Sequence, residues 1–90
     1  MAVDVRIPTI LRPLTGGEKS VSGSGDSLGG LIADLDAQFP GLADRLIEDG
    51  ALRRFVNVYL NDEDVRFLED LATPTPDGTS VSIIPAVAGG

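Results

Sequence analysis

The C-terminal segment carries the residues whose type and order point most directly to chemistry. The chain ends Ala86-Val87-Ala88-Gly89-Gly90, with no charged side chain in this segment. Fully extended, five residues span roughly 17 Å, enough to thread a narrow active site. Glycine has no Cβ, so a terminal glycine carboxylate can enter a channel that would reject any other residue. The segment indicates a chain whose own carboxylate is the reacting group.

A free carboxylate is a poor acyl donor because its oxygen is a bad leaving group. Coupling it to a nucleotide supplies a good leaving group, and a sulfur or amine nucleophile can then capture the acyl group. That chemistry needs a partner enzyme that binds ATP, but no catalytic side chain in this chain. The sequence has no histidine and no cysteine, which excludes thiolate nucleophiles, histidine-dependent triads and cysteine-based metal sites. We therefore expect a carrier acted on by enzymes, with no catalytic residue, no metal and no permanently bound cofactor.

The chain length and the net charge limit the classes of binding partner that we expect. Ninety residues make one domain. Fourteen acidic residues against seven basic ones give a formal net charge of -7, which disfavours nucleic acid and anionic membranes and would steer a basic protein partner toward the chain. The same charge also suits a role in solubility alone. Without a long apolar run or a signal-peptide pattern, we expect a cytoplasmic protein, monomeric on its own.

Two charged runs have simple readings. The acidic run Asp62-Glu63-Asp64 lacks the ligand spacing of a calcium loop and no histidine supports a metal, so we interpret it as a solvated turn. The pair Arg53-Arg54 is either a partner contact or, more simply, solvated.

Apolar periodicity predicts the elements that carry the tail. Alternation predicts strands at 3–7, 18–22, 56–60, 65–67 and 81–85, with a turn at 13–17. Helical spacing predicts a helix capped by Asp26 or Ser27 and ended by Pro40-Gly41, followed by a short helical segment at 42–47. The expected core is the following apolar set: Val3, Val5, Ile7, Leu31, Ile32, Leu35, Val56, Val58, Val81 and Ile83.

A hairpin, a helix and further strands in this order are typical of the β-grasp, or ubiquitin-like, fold. We expect an α+β domain over residues 1–85, with a mixed sheet of four or five strands and one main helix across one face, so that the other face is wet. Residues 86–90 are expected to form a flexible tail.

Ile84 is the expected contact point beside the tail. It is in register with Ser80 and Ser82, on the strand face opposite Val81 and Ile83. A single exposed apolar residue is common, but one next to a reactive tail favours a docking patch. We predict a partner docking surface of the following residues: Ile84, Pro85, Leu68 and Pro8.

The order of elements and the ending Asp77-Gly78-Thr79-Ser80-Val81-Ser82-Ile83-Ile84-Pro85-Ala86-Val87-Ala88-Gly89-Gly90 resemble the ubiquitin-like sulfur-carrier family, the ThiS and MoaD type. The segments at 7–13 and 55–67 resemble most the branch that serves cysteine biosynthesis. The resemblance covers nearly the whole chain.

The resemblance implies that an E1-like enzyme adenylates the Gly90 carboxylate with ATP, after which it becomes a thiocarboxylate. In the cysteine branch this sulfur attacks an activated serine on a PLP-dependent synthase, and a zinc metalloprotease releases cysteine. By position, the resemblance implies that Gly90 carries the acyl group and that Gly89 must lack a Cβ to fit the enzyme's narrow channel. Ile84 matches the hydrophobic position beside the tail that family members use for docking. Open alternatives are sulfur donation to molybdopterin, thiamin or a secondary metabolite, attachment to protein lysines, and a purely non-covalent β-grasp binding module.

Overall fold

A five-stranded mixed sheet with one long helix across it forms the body of the protein. The computed structural model describes residues 3–53 and 56–85. The strands are β1 Val3–Arg6, β2 Ser20–Gly23, β3 Ile47–Glu48, β4 Ala51–Leu52, β5 Val56–Leu60, β6 Glu63–Asp64 and β7 Ser80–Pro85. The helices are α1 Leu28–Gln38 and α2 Leu42–Leu46, with 3-10 helices at Thr9–Thr15, Val65–Phe67 and Asp70–Ala72.

The last strand lies in the middle of the main sheet, whose order is β2-β1-β7-β5-β6. β7 runs parallel to β1 and antiparallel to β5, and β1 and β2 form the antiparallel hairpin that alternation predicts. Val3 and Val5 are buried while Asp4 and Arg6 are exposed, because successive strand side chains point to opposite faces. The predicted β-grasp fold, with one covered and one polar sheet face, is confirmed.

Helix α1 covers the apolar face of the sheet. Of the two predicted caps, Ser27 is the N-cap: its Oγ accepts a hydrogen bond of 3.3 Å from the amide of Gly30. The helix then buries one apolar stripe, formed by Leu28, Leu31, Ile32 and Leu35. It ends before Pro40-Gly41, and Gly41, with a φ of 97°, is the N-cap of α2. The predicted main helix and the short helix after it are confirmed.

The core is larger than the pattern indicates. All ten predicted core residues are buried. Further buried apolar residues complete it: Leu11, Leu28, Leu42, Leu46, Leu60 and Val65. Several of these lie in short helices, which the period of a strand does not reveal. No helix in the described part of the chain is long and apolar enough to cross a membrane.

Expectations about short segments are wrong in two places, and one short hairpin was not predicted. The turn expected at 13–17 is present only at Gly16-Gly17, because residues 13–15 end the 3-10 helix Thr9–Thr15, and the second strand begins two residues later than predicted. The strand expected at 65–67 is a 3-10 helix, because the Asp64 carboxylate accepts a 2.8 Å hydrogen bond from the Arg66 amide and caps it. The small antiparallel hairpin of β3 and β4 was not predicted, since two-residue strands have no readable alternation.

Candidate functional site

The end of strand β7 is the part of the fold that leads into the predicted reactive tail. β1 supports β7 on one side through the Arg6–Ser82 pair, and β5 supports it on the other through the Val56–Pro85 pair. The strand is therefore held on both sides as far as Ser82, and by β5 alone from there to Pro85, its outermost described residue. The predicted tail, with Gly89 and Gly90, lies outside the described residues.

The start of β7 is fixed by a tight turn. Gly78 has a φ of 85°, a conformation that favours glycine, and the Thr79 hydroxyl donates a 2.6 Å hydrogen bond to the Pro76 carbonyl. The Ser80 amide then donates to Oδ1 of Asn61 at 3.0 Å. Both contacts set the register of the strand, and thereby decide which of its side chains face outward.

Ile84 faces outward, as its register predicts. Its side chain is 48% exposed, whereas Val81 and Ile83 are buried against the core. Ser80 is also exposed and Ser82 is half-buried on the outward face. Ile84 is therefore the apolar member of a polar strand face. Its assignment to partner docking stays a prediction.

Arg66 ties the neighbouring strand to the 3-10 helix at Val65–Phe67. Its Nη1 donates to Oδ1 of Asn57 at 2.6 Å, and its Nη2 donates to the carbonyls of Arg53 at 2.9 Å and Val56 at 2.8 Å. Asn57 is the residue that lies opposite Ile84. Sequence reasoning missed Arg66, because no local pattern shows that its side chain reaches back to carbonyls ten and thirteen residues earlier.

The other predicted docking residues have different surroundings. Leu68, just after the 3-10 helix, is 38% exposed, and the adjacent Phe67, which was not predicted, is 84% exposed. Pro8 is half-buried and lines a recess with Ile83. Pro85 follows Ile84 in β7, so the strand itself places these two together.

The acidic run is only partly the expected solvated turn, because Asp62 lies in an exposed turn while Glu63 and Asp64 form β6 against β5. Asp64 caps the 3-10 helix, and among the described residues no group of three acidic side chains is arranged to hold a metal ion. Arg53 donates through Nε to the Asp44 carbonyl at 2.9 Å, and its Nη1 lies 3.5 Å from Oε1 of Glu48. Arg54 lies outside the described residues.

Comparison with known proteins gives consistent matches over the whole chain. The ThiS family model matches residues 5–90. The sulfur carrier protein CysO of Mycobacterium tuberculosis is 61% identical, with all of both chains covered. The small archaeal modifier protein 3 of Haloferax volcanii is 39% identical, again with all of both chains covered.

A solved structure shows the same fold in a homologue bound to a partner. The crystal structure of the Amycolatopsis orientalis BexX/CysO complex contains a chain 50% identical to this one, with a TM-score of 0.95. The match covers 99% of this chain and 100% of that one. Homologues of this fold thus form complexes with partner proteins. The sequence, the fold and these matches together show that the chain is a sulfur carrier protein of the ThiS family.

Proposed function

We propose that the C-terminal carboxylate of Gly90 is the group that carries sulfur. The observation that supports this most is the family match, which extends through residue 90 and so includes the Gly89-Gly90 ending. The position of β7 agrees with it. β7 is paired with β5 as far as Pro85, which gives the segment that follows it a fixed origin and lets a partner find the terminus within a limited distance of the domain.

The proposed chemistry takes place on enzymes that bind this chain. The Gly90 carboxylate attacks the α-phosphorus of ATP in an E1-like enzyme, pyrophosphate leaves, and an acyl-adenylate forms. A sulfide sulfur then attacks the acyl carbon, and AMP leaves with the electrons of the broken acyl–phosphate bond. The product is a terminal thiocarboxylate, so the carrier has no permanently bound cofactor and ATP serves as the partner's substrate.

We propose cysteine as the product that receives the sulfur. The support is the full-length 61% identity to a CysO sulfur carrier. On this route the thiocarboxylate sulfur replaces the activating group on the β-carbon of an activated serine held by a PLP-dependent synthase, which gives a thioester and releases the activating group. An S-to-N acyl shift then gives a carrier–cysteine amide, and a zinc metalloprotease hydrolyses that amide to free cysteine.

A second candidate is attachment to the lysines of other proteins. It is favoured by the 39% identity to a protein named as a modifier. The activated intermediate is the same acyl-adenylate, but a lysine amine, rather than sulfur, captures the acyl group and forms an amide. The two functions therefore differ in the nucleophile and not in the carrier.

Intact-protein mass spectrometry tests the proposal. The chain is incubated with ATP, its E1-like enzyme and a sulfide source, and parallel reactions omit ATP or sulfide. The expected result is the mass change of one oxygen replaced by sulfur, only in the complete reaction. Adding the synthase and an activated serine should then bring the mass to that of the unmodified chain plus one cysteine residue, whose sulfur comes from the thiocarboxylate. An unchanged mass in the complete reaction would contradict the carrier chemistry, whereas lysine conjugates would favour the modifier function.

A further inference from the structure

A recess opens beside the end of β7, on the side of the sheet that faces the helices. It has a volume of about 340 Å³. Buried Leu11, Val56 and Ile83 form its floor, and Ile10, which is 72% exposed, stands at its rim. Pro8 completes the apolar wall. The recess is large enough for one apolar side chain and the backbone next to it.

Two arginines give this apolar recess a charge. Arg45 of α2 and Arg53 after β4 line it, and no carboxylate is among its described lining residues. Arg53 is held in place through the Asp44 carbonyl and Glu48. Arg45 is exposed and makes no ion pair with another described residue. The recess thus combines an oriented guanidinium with an unengaged one.

Four acidic residues line other surfaces of the domain, whereas Glu48 is paired with Arg53 next to this recess. Asp26 and Asp77 line a separate recess at the start of β1, and Asp4 and Asp62 line a shallow polar area on the outer sheet face. The lining of the recess carries two arginines, one of them paired with Glu48, in a chain whose formal net charge is -7. A partner's negative charge responds to the arginines of the recess more than to distant acidic residues, because salt at 0.1 M screens interactions between exposed charges beyond about 10 Å.

The recess also lies where a tail-binding enzyme must approach. Val56, on its floor, is the partner of Pro85 in the sheet, and Ile83 is two residues before Pro85. An enzyme that takes up residues 86–90 brings the mouth of its channel against this end of the domain. This step rests on the function proposed above.

We propose that the recess binds an acidic peptide segment at the channel mouth of the activating enzyme, with one apolar side chain inserted between Ile10 and the floor and flanking carboxylates paired with Arg45 and Arg53. Guanidinium groups suit this role because they form bidentate hydrogen bonds with carboxylates. The partner at this surface is thus acidic, although the net charge of the chain predicts a basic one.

The first test uses a short probe and needs no enzyme. A synthetic pentapeptide with a central leucine and two acidic residues on each side is titrated into the ¹⁵N-labelled full chain. We expect saturable amide shifts at Ile10, Leu11 and Arg45, and none at Ser80 on the outer face. A peptide with lysines in place of the acidic residues should give none. The proposal would be overturned if no saturable shifts appeared or if both peptides gave equal shifts. It would also be overturned if shifts appeared only after residues 86–90 were deleted, because the chain's own tail would then fill the recess.

The second test uses the enzyme and matched charge reversals. Arg45→Glu and Lys19→Glu change the net charge equally, and Lys19 is exposed outside the recess. We expect the single variants Arg45→Glu and Ile10→Ser each to weaken binding to the E1-like enzyme at least fivefold, as measured by calorimetry. Lys19→Glu should change binding less than twofold, and all three should keep the wild-type melting temperature. Equal weakening by Arg45→Glu and Lys19→Glu would overturn the proposal. A wild type that binds the acidic pentapeptide but never becomes adenylated would instead contradict the proposed function.

Discussion

Ile84 of β7 lies directly opposite Asn57 of β5, and the Asn57 side chain accepts the 2.6 Å hydrogen bond from Arg66. The exposed apolar residue beside the tail is thus backed by a side-chain network rather than by the sheet ladder alone. Because the network includes the carbonyl of Val56, it also bears on the last pair of the sheet, Val56 with Pro85. The surface next to the tail is therefore pre-organised on the sheet.

Replacing Ile84 should separate docking from folding. We expect Ile84→Asp to leave the melting temperature nearly unchanged, since the side chain is half in solvent, and to weaken binding to the activating enzyme at least fivefold. Phe67→Asp is the matched control, because it places the same charge at another exposed apolar position. Calorimetry with the cognate enzyme measures both. Equal affinity of wild type and Ile84→Asp would remove Ile84 from the docking surface.

Arg66 should contribute to stability through its three hydrogen bonds. Arg66→Ala removes donors to two backbone carbonyls and to Asn57. We expect a loss of about 1–2 kcal/mol in the free energy of unfolding, because each net hydrogen bond contributes about 0.5–1.5 kcal/mol and the side chain is exposed. Arg66→Lys should restore only part of it, since an ammonium cannot reproduce the guanidinium fork. Urea denaturation measures the loss, and an unchanged midpoint in Arg66→Ala would show that the network is energetically silent.

Leu35 should be among the most costly positions to truncate. It is 1% exposed and lies on the buried stripe of α1. Leu35→Ala should cost about 2–5 kcal/mol, because the lost burial is increased by the cavity that remains. Leu68→Ala is the control, because the same atoms are removed from a partly exposed side chain. Chemical denaturation compares the two, and similar small losses would show that α1 is packed in a different phase.

Two glycines near the start of α1 should respond oppositely to alanine. A Cβ built at Gly25 would lie 2.6 Å from the Gly30 carbonyl carbon and 2.8 Å from Leu31 Cα, which are backbone atoms that cannot step aside. At Gly30 the nearest atom outside the local helix backbone is Oγ of Ser27, 3.7 Å from the added Cβ. Gly25→Ala should therefore lower the melting temperature. Gly30→Ala should raise stability by roughly 0.5–1 kcal/mol through helix propensity. Thermal melts of both variants check this, and a stabilised Gly25→Ala would show that the close approach is not real.

Periodicity predicted the parts of this fold that are long enough to have a period. Val56 to Leu60 and the stripe of α1 repeat their pattern several times, so strand, helix and core followed from the sequence. The segment at 65–67 has one apolar residue at each end, which suits a short strand and a single 3-10 turn equally. The Asp64 side chain decides for the 3-10 helix, and that local hydrogen bond outweighs the alternation.

The contacts around the candidate site were less predictable from the sequence than the exposure of Ile84 itself. The exposure of Ile84 follows from strand register, a purely local property. The Arg66 network and the recess of Arg45 and Arg53 join residues that are eight or more positions apart and belong to different elements. Such placements depend on how short loops pack, and composition or net charge carries no information about them. The local excess of arginine beside β7 therefore had to come from the fold.

The proposed carrier function requires the C-terminal carboxylate at one exact position along the tail, whereas folding of the domain does not. Deleting Gly90, or adding one residue after it, displaces the carboxylate by roughly 3.5 Å along the chain. Acyl transfer is intolerant of such an error, since about 1 Å can cost 100-fold in rate. The described core lies within residues 3–83, so neither change should alter the melting temperature. Both should abolish the oxygen-to-sulfur mass change that wild type gains with ATP, the E1-like enzyme and sulfide. Gly89→Ala keeps the length and adds only a Cβ, so it tests the steric requirement separately, and we expect slower adenylation with unchanged stability. If the variant without Gly90 gained sulfur to the same extent as wild type, the reacting group would lie elsewhere and Gly90 would not be the carrier residue.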